Sequence, residues 1–296
     1  MINSDDDIFM LWQNRPTVVI GRYQNAFAEV NLPYANENNI AVVRRNSGGG
    51  AVYHDLFNIN FSFIVKDTGS DIDFRRFLEY IVDALKTIGV KAEISGRNDL
   101  EVSGRKISGN AQCRKYGKIL HHGTLLYSAD RETMSRVLSV DAEKIKSKGI
   151  SSVKARVGGL CEYTTADIDT IKNVINDTIG GEELVLNDSQ LSEVKALADS
   201  KYSSWEFIYG SSKSLEKTVK QRFECGTVQI DFESDGGVIT EISISGDFFA
   251  EGESSDLEAS LLGCKLDVDD LERAMNLSDC DLYGISHNDI AKLIMQ

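Results

Sequence analysis

Apolar and polar positions follow two periods along the chain. Between Leu56 and Val65 they alternate, with Ile59, Phe61, Phe63 and Val65 set against Asn58, Asn60 and Ser62, which predicts a strand. Thr17 to Arg22 and Ile40 to Val43 are short runs rich in β-branched residues and predict two more. The period then changes. Phe74, Phe77, Leu78, Ile81, Leu85 and Ile88 fall on one helical face, with Asp71 or Asp73 to cap the start and Gly89 to end it. Short strands are predicted at Val90–Ile94, Leu100–Val102, Lys106–Ala111 and Ile119–Tyr127, joined by Gly, Ser and Asn turns. Helices are predicted at Ala129–Leu138, Ala166–Ile179 and Asp188–Ser200, the last leading into a linker. Beyond Trp205, Thr227–Phe232 and Val238–Ile244 flank Ser234-Asp235-Gly236-Gly237, a hairpin signal, and three helical stretches follow near Leu257, Leu271 and Ile290. Strands and helices do not alternate strictly. The expected class is therefore α+β, a mixed sheet with flanking helices followed by a smaller α+β domain with an acidic surface.

One segment stands outside these periods. Arg44-Arg45-Asn46-Ser47-Gly48-Gly49-Gly50-Ala51-Val52-Tyr53-His54-Asp55 places two guanidinium groups just before three glycines. Exposed backbone N–H groups beside fixed cations suit a phosphate or an acyl phosphate. A tight hairpin without a ligand is the plainer alternative, but a hairpin does not require cations. The segment lacks the Gly-Lys-Ser/Thr of a P-loop and is not G-x-G-x-x-G.

Composition narrows the choice. The net charge is −14, which disfavours general nucleic-acid binding, while Lys and Arg gather around 44–45, 105–106 and 144–156. That distribution suggests a small anionic ligand in a cleft. No run approaches the roughly 18–20 apolar residues of a membrane span, and the Asp5-Asp6-Asp7 start is unlike a signal peptide. A cytoplasmic location is the expectation, with no membrane partner. The five cysteines, at 113, 161, 225, 264 and 280, form no C-x-x-C pair and suggest neither zinc nor a disulfide framework. Cys113 is a candidate nucleophile without an evident partner base.

The segment at 44–55 resembles the hallmark of the lipoate–protein ligases, Arg-Arg-x-Ser-Gly-Gly-Gly-Ala-Val-(aromatic)-His-Asp, at every position. Two further stretches are similar to that family. Asn98-Asp99-Leu100 leads through Gly104-Arg105-Lys106-Ile107-Ser108-Gly109-Asn110-Ala111-Gln112 to His121-His122-Gly123-Thr124, and Lys146 to Val157 follows. Trp205-Glu206-Phe207-Ile208-Tyr209-Gly210 resembles the start of the accessory domain of the long ligases. The resemblance implies a catalytic domain over residues 1–200, of the biotin/lipoate ligase type, and an accessory domain over 201–296. It also implies a strand and an Asn-Leu-Ala-x-Glu helix ahead of Trp12, covering part of the acyl pocket. These are not found here.

The implied activity is ATP-dependent activation of lipoate to lipoyl-AMP, then transfer to a lysine of a lipoyl domain. Expected acceptors are the E2 subunits of 2-oxoacid dehydrogenases and the glycine cleavage H protein. Carried over residue by residue, Arg45 and the backbone of Gly50, Ala51, Val52 and Tyr53 bind ATP, with Lys106. Trp12, Arg44, Ser47, His54, His122 and Thr124, with Gly123, line the lipoate pocket. Lys106 is the expected catalytic residue, a point charge reaching the lipoyl carbonyl oxygen and a phosphate oxygen. A glycine hairpin flanked by arginines, with Lys106 on a nearby strand, would hold nucleotide and acid head to tail. Asp99 is either a Mg²⁺ ligand or a turn cap, and His122 either a buried, hydrogen-bonded imidazole or a base. Lys144 to Arg156 is expected to form a mobile adenylate-binding loop, with a plain helix–loop–helix connector as the alternative. Octanoyl transferases share the fold but carry a cysteine shortly before the Gly-x-Lys strand, where this chain reads Ile94-Ser95-Gly96-Arg97-Asn98-Asp99. A non-catalytic relative is the other alternative.

Overall fold

The computed structural model describes residues 6–69, 73–96, 98–138, 157–210 and 215–296. The chain forms two compact units. One contains Met1–Val18, Pro33–Ala41 and Tyr53–Glu193; the other contains Val19–Leu32, Val42–Val52 and Val194–Gln296.

The first unit is built on a six-stranded sheet. Its strands are β1 (Ile8–Trp12), β5 (Asn58–Lys66), β6 (Glu93–Ser95), β7 (Asp99–Val102), β8 (Arg105–Lys115) and β9 (Lys118–Leu126). Their order is β1-β5-β9-β8-β7-β6, with antiparallel ladders throughout. A parallel bridge joins Lys106 to Val157. Of β2 (Thr17–Ile20), β3 (Ala41–Arg44) and β4 (Val52–His54), β2 is central in a separate three-stranded sheet, β3-β2-β4.

Period-2 alternation gives the large sheet two different faces. Ile59, Phe61, Phe63 and Val65 of β5, Leu100 of β7 and Leu125 of β9 point into an apolar core with Phe77, Leu78, Ile81 and Leu85 of helix α3 (Arg75–Thr87), which follows the short helices α1 (Ala26–Glu29) and α2 (Leu32–Glu37) in the chain. Ile171 and Ile175 of the helix Ile168–Ile179 complete it. The α3 N-terminus is assigned one residue later than the aspartate predicted to cap it, at Phe74, yet Asp73 still accepts from the Arg76 N–H at 3.2 Å. Asp71 lies outside the described residues. Gly89, at φ 77°, ends the helix through bonds from Gly89 N–H to Lys86 and from Val90 N–H to Leu85.

The second unit carries the sheet β10 (Lys217–Phe223), β11 (Gly226–Asp235) and β12 (Val238–Gly246), in that order. Helices Ser254–Leu261, Val268–Met275 and His287–Ile294 pack on it around Val228, Ile230, Ile244, Phe248, Leu257, Leu271 and Ile290. The predicted hairpin is present, Asp235 pairing with Val238. The exposed strand β10 was not foreseen, because its residues, Lys-Thr-Val-Lys-Gln-Arg-Phe, carry little hydrophobic pattern. Among the described residues no helix is long and apolar enough to cross a membrane.

The core of the first unit also encloses His121. It is fully buried, its ring stacked on Phe77 at 4.7 Å, and its Nδ1 meets Gln112 Nε2 at 2.9 Å. Burial lowers its pKa from 6.5 to about 3. The unfolded chain therefore takes up a proton near 6.5 that the folded chain resists down to about 3. The stability this neutral ring contributes is complete above pH 6.5 and is lost as pH falls toward 3, at up to about 1.4 kcal/mol per pH unit. Urea denaturation across this range should show a shallower pH dependence for His121→Asn than for the wild type. An equal slope would place the acid sensitivity elsewhere.

Candidate active site

The face of the large sheet opposite the core carries a polar patch, Asn58, Asn60 and Ser62 of β5 beside His122 and Thr124 of β9, with Met10, Ile64 and Leu120 at its margin. Cross-strand partners build a row from Trp12 on β1 through Asn60 on β5 to Thr124 on β9. The row continues across β8 at Gly109, whose N–H lies 3.3 Å from the Thr124 hydroxyl, and ends at Asp99 on β7. Beside it, Trp12 Nε1 donates to Ser62 Oγ at 3.2 Å, and Ser62 stands opposite His122. His54 is buried, 6.2 Å edge-on from the Trp12 ring. Four of the predicted pocket residues, Trp12, His54, His122 and Thr124, thus lie within this unit. Alternation along β9 makes His121 the core imidazole and leaves His122 half-buried on the polar face. Asn60 and Ser62 were not among the predicted site residues. Their signal was available in β5, where amides and a hydroxyl occupy every second position of a strand that is buried on both sides.

Lys106 reaches this polar face through an irregularity. Leu100 pairs with Ser108 but Glu101 pairs with Lys106, so Ile107 is an extra residue in β8. Such a bulge re-aims the neighbouring side chain. Ile107 drops into the core, fully buried, and Lys106 faces the side of Glu101 and Asp99 instead of following Ser108 inward. Its ammonium lies 2.8 Å from Asp99 Oδ1, both side chains partly exposed. The backbone of Lys106 is held from its other edge, where Gly158 N–H donates to its carbonyl at 2.8 Å. Arg105 fastens the same segment through the Val157 carbonyl and Glu162, which also accepts from Arg131 and from the Gly159 N–H. The Arg105, Gly159 and Arg131 donors hold the Glu162 carboxyl below its ordinary pKa. The segment Lys144 to Arg156 lies outside the described residues.

Asp99 is the one predicted metal ligand. Among the described residues, no cluster of three or more His, Cys, Asp or Glu is arranged around a common point. A single carboxylate already paired with an ammonium fits a Mg²⁺ that arrives with phosphate oxygens rather than a resident ion.

The glycine segment belongs to the second unit. It is not a hairpin: β3 and β4 flank β2, so residues 45–51 cross the end of that strand. Arg45 N–H donates to Ile20 and Arg22 N–H to Ser47. The two arginines play different parts. Arg44 is buried, and carbonyls of Gly21, Arg22, Gln24, Phe207 and Ile208 accept from its guanidinium at 2.6 to 3.1 Å. Burial, with Arg22 close by, lowers its pKa to about 10, so it stays charged at neutral pH. Arg45 is folded along the loop itself, donating to Ser47 Oγ and to the carbonyls of Val19, Gly48 and Gly50. Ser47 is buried beneath it.

The three glycines also differ. A Cβ on Gly48 would stand 2.3 Å from the Phe248 carbonyl oxygen. Gly49, at φ 90°, donates to that same carbonyl at 3.2 Å and has the Phe249 ring over it. Gly50 is exposed, has no left-handed φ, and a Cβ there would meet nothing within 4 Å. Neither a left-handed φ nor a steric clash accounts for glycine at 50. Beyond it, Tyr53 is buried in the first unit, and burial with Asp55 and Asp130 pushes its pKa up to about 12.

A cation presented on a sheet face and an exposed glycine in a loop are both features that suit a small anion. Comparison with known proteins makes the class specific. Residues 1–180 match the family described as lipoyl protein ligase A/B catalytic domain, and residues 212–294 match bacterial lipoate protein ligase C-terminus. Lipoate–protein ligase 1 of Staphylococcus aureus is 42% identical over 95% of this chain and 87% of its own length. The Bacillus subtilis ligase LplJ is 38% identical over 88% and 82%. A lipoate–protein ligase A bound with ATP superposes with a TM-score of 0.60 at 30% identity, covering 70% of this chain and 87% of that one. Protein Ta0514 of Thermoplasma acidophilum, solved with bound lipoic acid, gives 0.60 at 29%, covering 70% and 86%. The bipartite ligase from the same organism, described with its E2 lipoyl domain, gives 0.63 at 32%, covering 72% and 87%. The chain belongs to the lipoate–protein ligase family.

The different environments of Gly48 and Gly50 separate their substitutions. Gly48→Ala should lower unfolding free energy by about 1–3 kcal/mol through overpacking against Phe248. Gly50→Ala should stay within about 0.5 kcal/mol of the wild type. Chemical denaturation measures both, and equal losses would contradict this division.

Proposed function

We propose that this protein is a lipoate–protein ligase that activates lipoate with ATP and transfers the lipoyl group to a lysine of a lipoyl domain. Membership of the family carries the reading, and the presentation of Lys106 on the polar sheet face supports the site assignment. In the first step a lipoate carboxylate oxygen attacks the α-phosphorus of ATP, and the bond to pyrophosphate breaks. In the second, the acceptor lysine amine attacks the carbonyl carbon of lipoyl-AMP, the bond to AMP breaks, and the amine proton leaves to solvent. The amide forms without a strong base on the enzyme, because the adenylate is a good leaving group.

Trp12, His54, His122 and Thr124 line the acyl site in this reading, with Asn60 and Ser62 beneath them. Arg45, Gly50, Ala51, Val52 and Tyr53 bind the nucleotide, Gly50 by close backbone approach. Arg44 and Ser47 support the loop. Lys106 neutralises charge on the carboxylate and phosphate oxygens, an interaction that strengthens as charge moves in the transition state. Asp99 would hold a Mg²⁺ that arrives with the nucleotide, and the ion would supply charge neutralisation at the phosphates. Residues 1–200 serve as the catalytic part and 201–296 as the accessory part, acting in the cytoplasm where ATP is available. Lipoyl domains of 2-oxoacid dehydrogenase E2 subunits and the glycine cleavage H protein are the acceptors. The transferase alternative is disfavoured by the absence of cysteine in residues 94–99.

Incubation with ATP, Mg²⁺, lipoate and a lipoyl domain should add one lipoyl mass to that domain; an unmodified domain would contradict the assignment. Lys106→Ala should reduce lipoate-dependent ATP–pyrophosphate exchange about 10²–10³-fold with an unchanged unfolding midpoint. Wild-type exchange in this variant would remove Lys106 from the chemistry.

A further inference from the structure

We propose that Gly109 is a positioning residue for Lys106: its missing side chain is the seat on which the Lys106 ammonium rests. The inference builds on the reading of Lys106 as the catalytic cation. Gly109 lies inside strand β8, opposite Asp99, and is not among the glycines with a left-handed φ. Its backbone is open to any residue. A Cβ built there would stand 3.1 Å from Lys106 Nζ and 3.2 Å from Cε, with Asp99 Oδ1 next at 3.9 Å.

The neighbouring glycines show why this differs from ordinary packing. A Cβ on Gly123 would strike Asn110 Oδ1 at 1.8 Å and the Phe61 ring at 2.5 Å, so that position is held by the core. Gly104 has φ 73°, so that position is held by the backbone. Gly109 crowds only the far end of a flexible side chain and a carboxylate. That end can yield at little cost in stability, and the position of the ammonium absorbs the change.

Lys106 has little freedom to compensate from its base. The bulge sets its direction, and the Gly158 N–H holds its carbonyl at 2.8 Å. A methyl group at 109 therefore shifts the Cε–Nζ end by a few tenths of an ångström, off the Asp99 line. Misplacement of a reacting group by about 1 Å costs on the order of 10²-fold in rate, so the smaller shift should cost about tenfold.

The test compares wild type, Gly109→Ala, Lys106→Ala and the double variant in lipoate-dependent ATP–pyrophosphate exchange, with lipoyl-AMP quantified by mass. Gly109→Ala should lower kcat about tenfold, leave the KM for ATP and for lipoate within about twofold, and unfold at the wild-type midpoint. In the Lys106→Ala background the same substitution should change the residual rate less than about twofold, because the side chain it displaces is gone. An unchanged kcat, an equal fold-loss in both backgrounds, or failure of Gly109→Ala to fold would each overturn the role of Gly109. A wild-type protein that forms no lipoyl-AMP would instead strike the functional reading beneath it.

Discussion

One extra residue in strand β8 decides which way Lys106 points. Without the bulge at Ile107, strict alternation would send Lys106 toward the core beside Ser108, and an unpaired ammonium there would carry a large desolvation cost. With it, Ile107 fills the core and the ammonium meets Asp99 on the polar face. The rest of the first unit serves that placement. Helix α3 and the helix Ile168–Ile179 cover the apolar face, leaving the row Trp12, Asn60, Thr124, Gly109 and Asp99 on the other. Gly158 and the Arg105–Glu162 pair fix the backbone under Lys106 from its free edge.

The glycine loop shows a second economy of design. Arg44 spends its donors on five backbone carbonyls and fastens the segments 21–24 and 207–208 around β3. Gly48 and Gly49 are packing glycines, fitted against Phe248 and Phe249. Arg45 is laid along the loop, bonded to Ser47 and to the carbonyls of Val19, Gly48 and Gly50, while Gly50 is an exposed backbone with open space above it. A twelve-residue motif therefore mixes residues packed into the loop's support with one that stands exposed at its tip. Sequence similarity alone does not separate the two.

Much of this was legible beforehand. The 3.6-residue spacing from Phe74 to Ile88 and the stop at Gly89 located α3, and the alternation from Leu56 to Val65 located β5. The α+β class followed from their order. Other features escaped for physical reasons. A bulge leaves no mark on hydrophobic periodicity except two adjacent core residues, here Ile107 and Ser108, which read as an ordinary strand. The loop looked like a hairpin because Ile40–Val43 and the following run are consecutive, and only the sheet shows β2 between β3 and β4. Arg44 and Arg45 are equal in sequence but differ in burial, which depends on carbonyls more than 160 residues away. His121 and His122 were likewise ambiguous until the register of β9 set one in the core and the other on the polar face.

The central claim is that the protein makes an acyl-adenylate with lysine-assisted charge neutralisation. A single-turnover reaction without any acceptor domain tests it most directly. Enzyme in excess over radiolabelled lipoate, quenched after mixing with ATP and Mg²⁺, should yield enzyme-bound lipoyl-AMP in proportion to active sites and one pyrophosphate for each. Absence of the adenylate, or label found covalently attached to the protein without ATP consumption, would contradict the account.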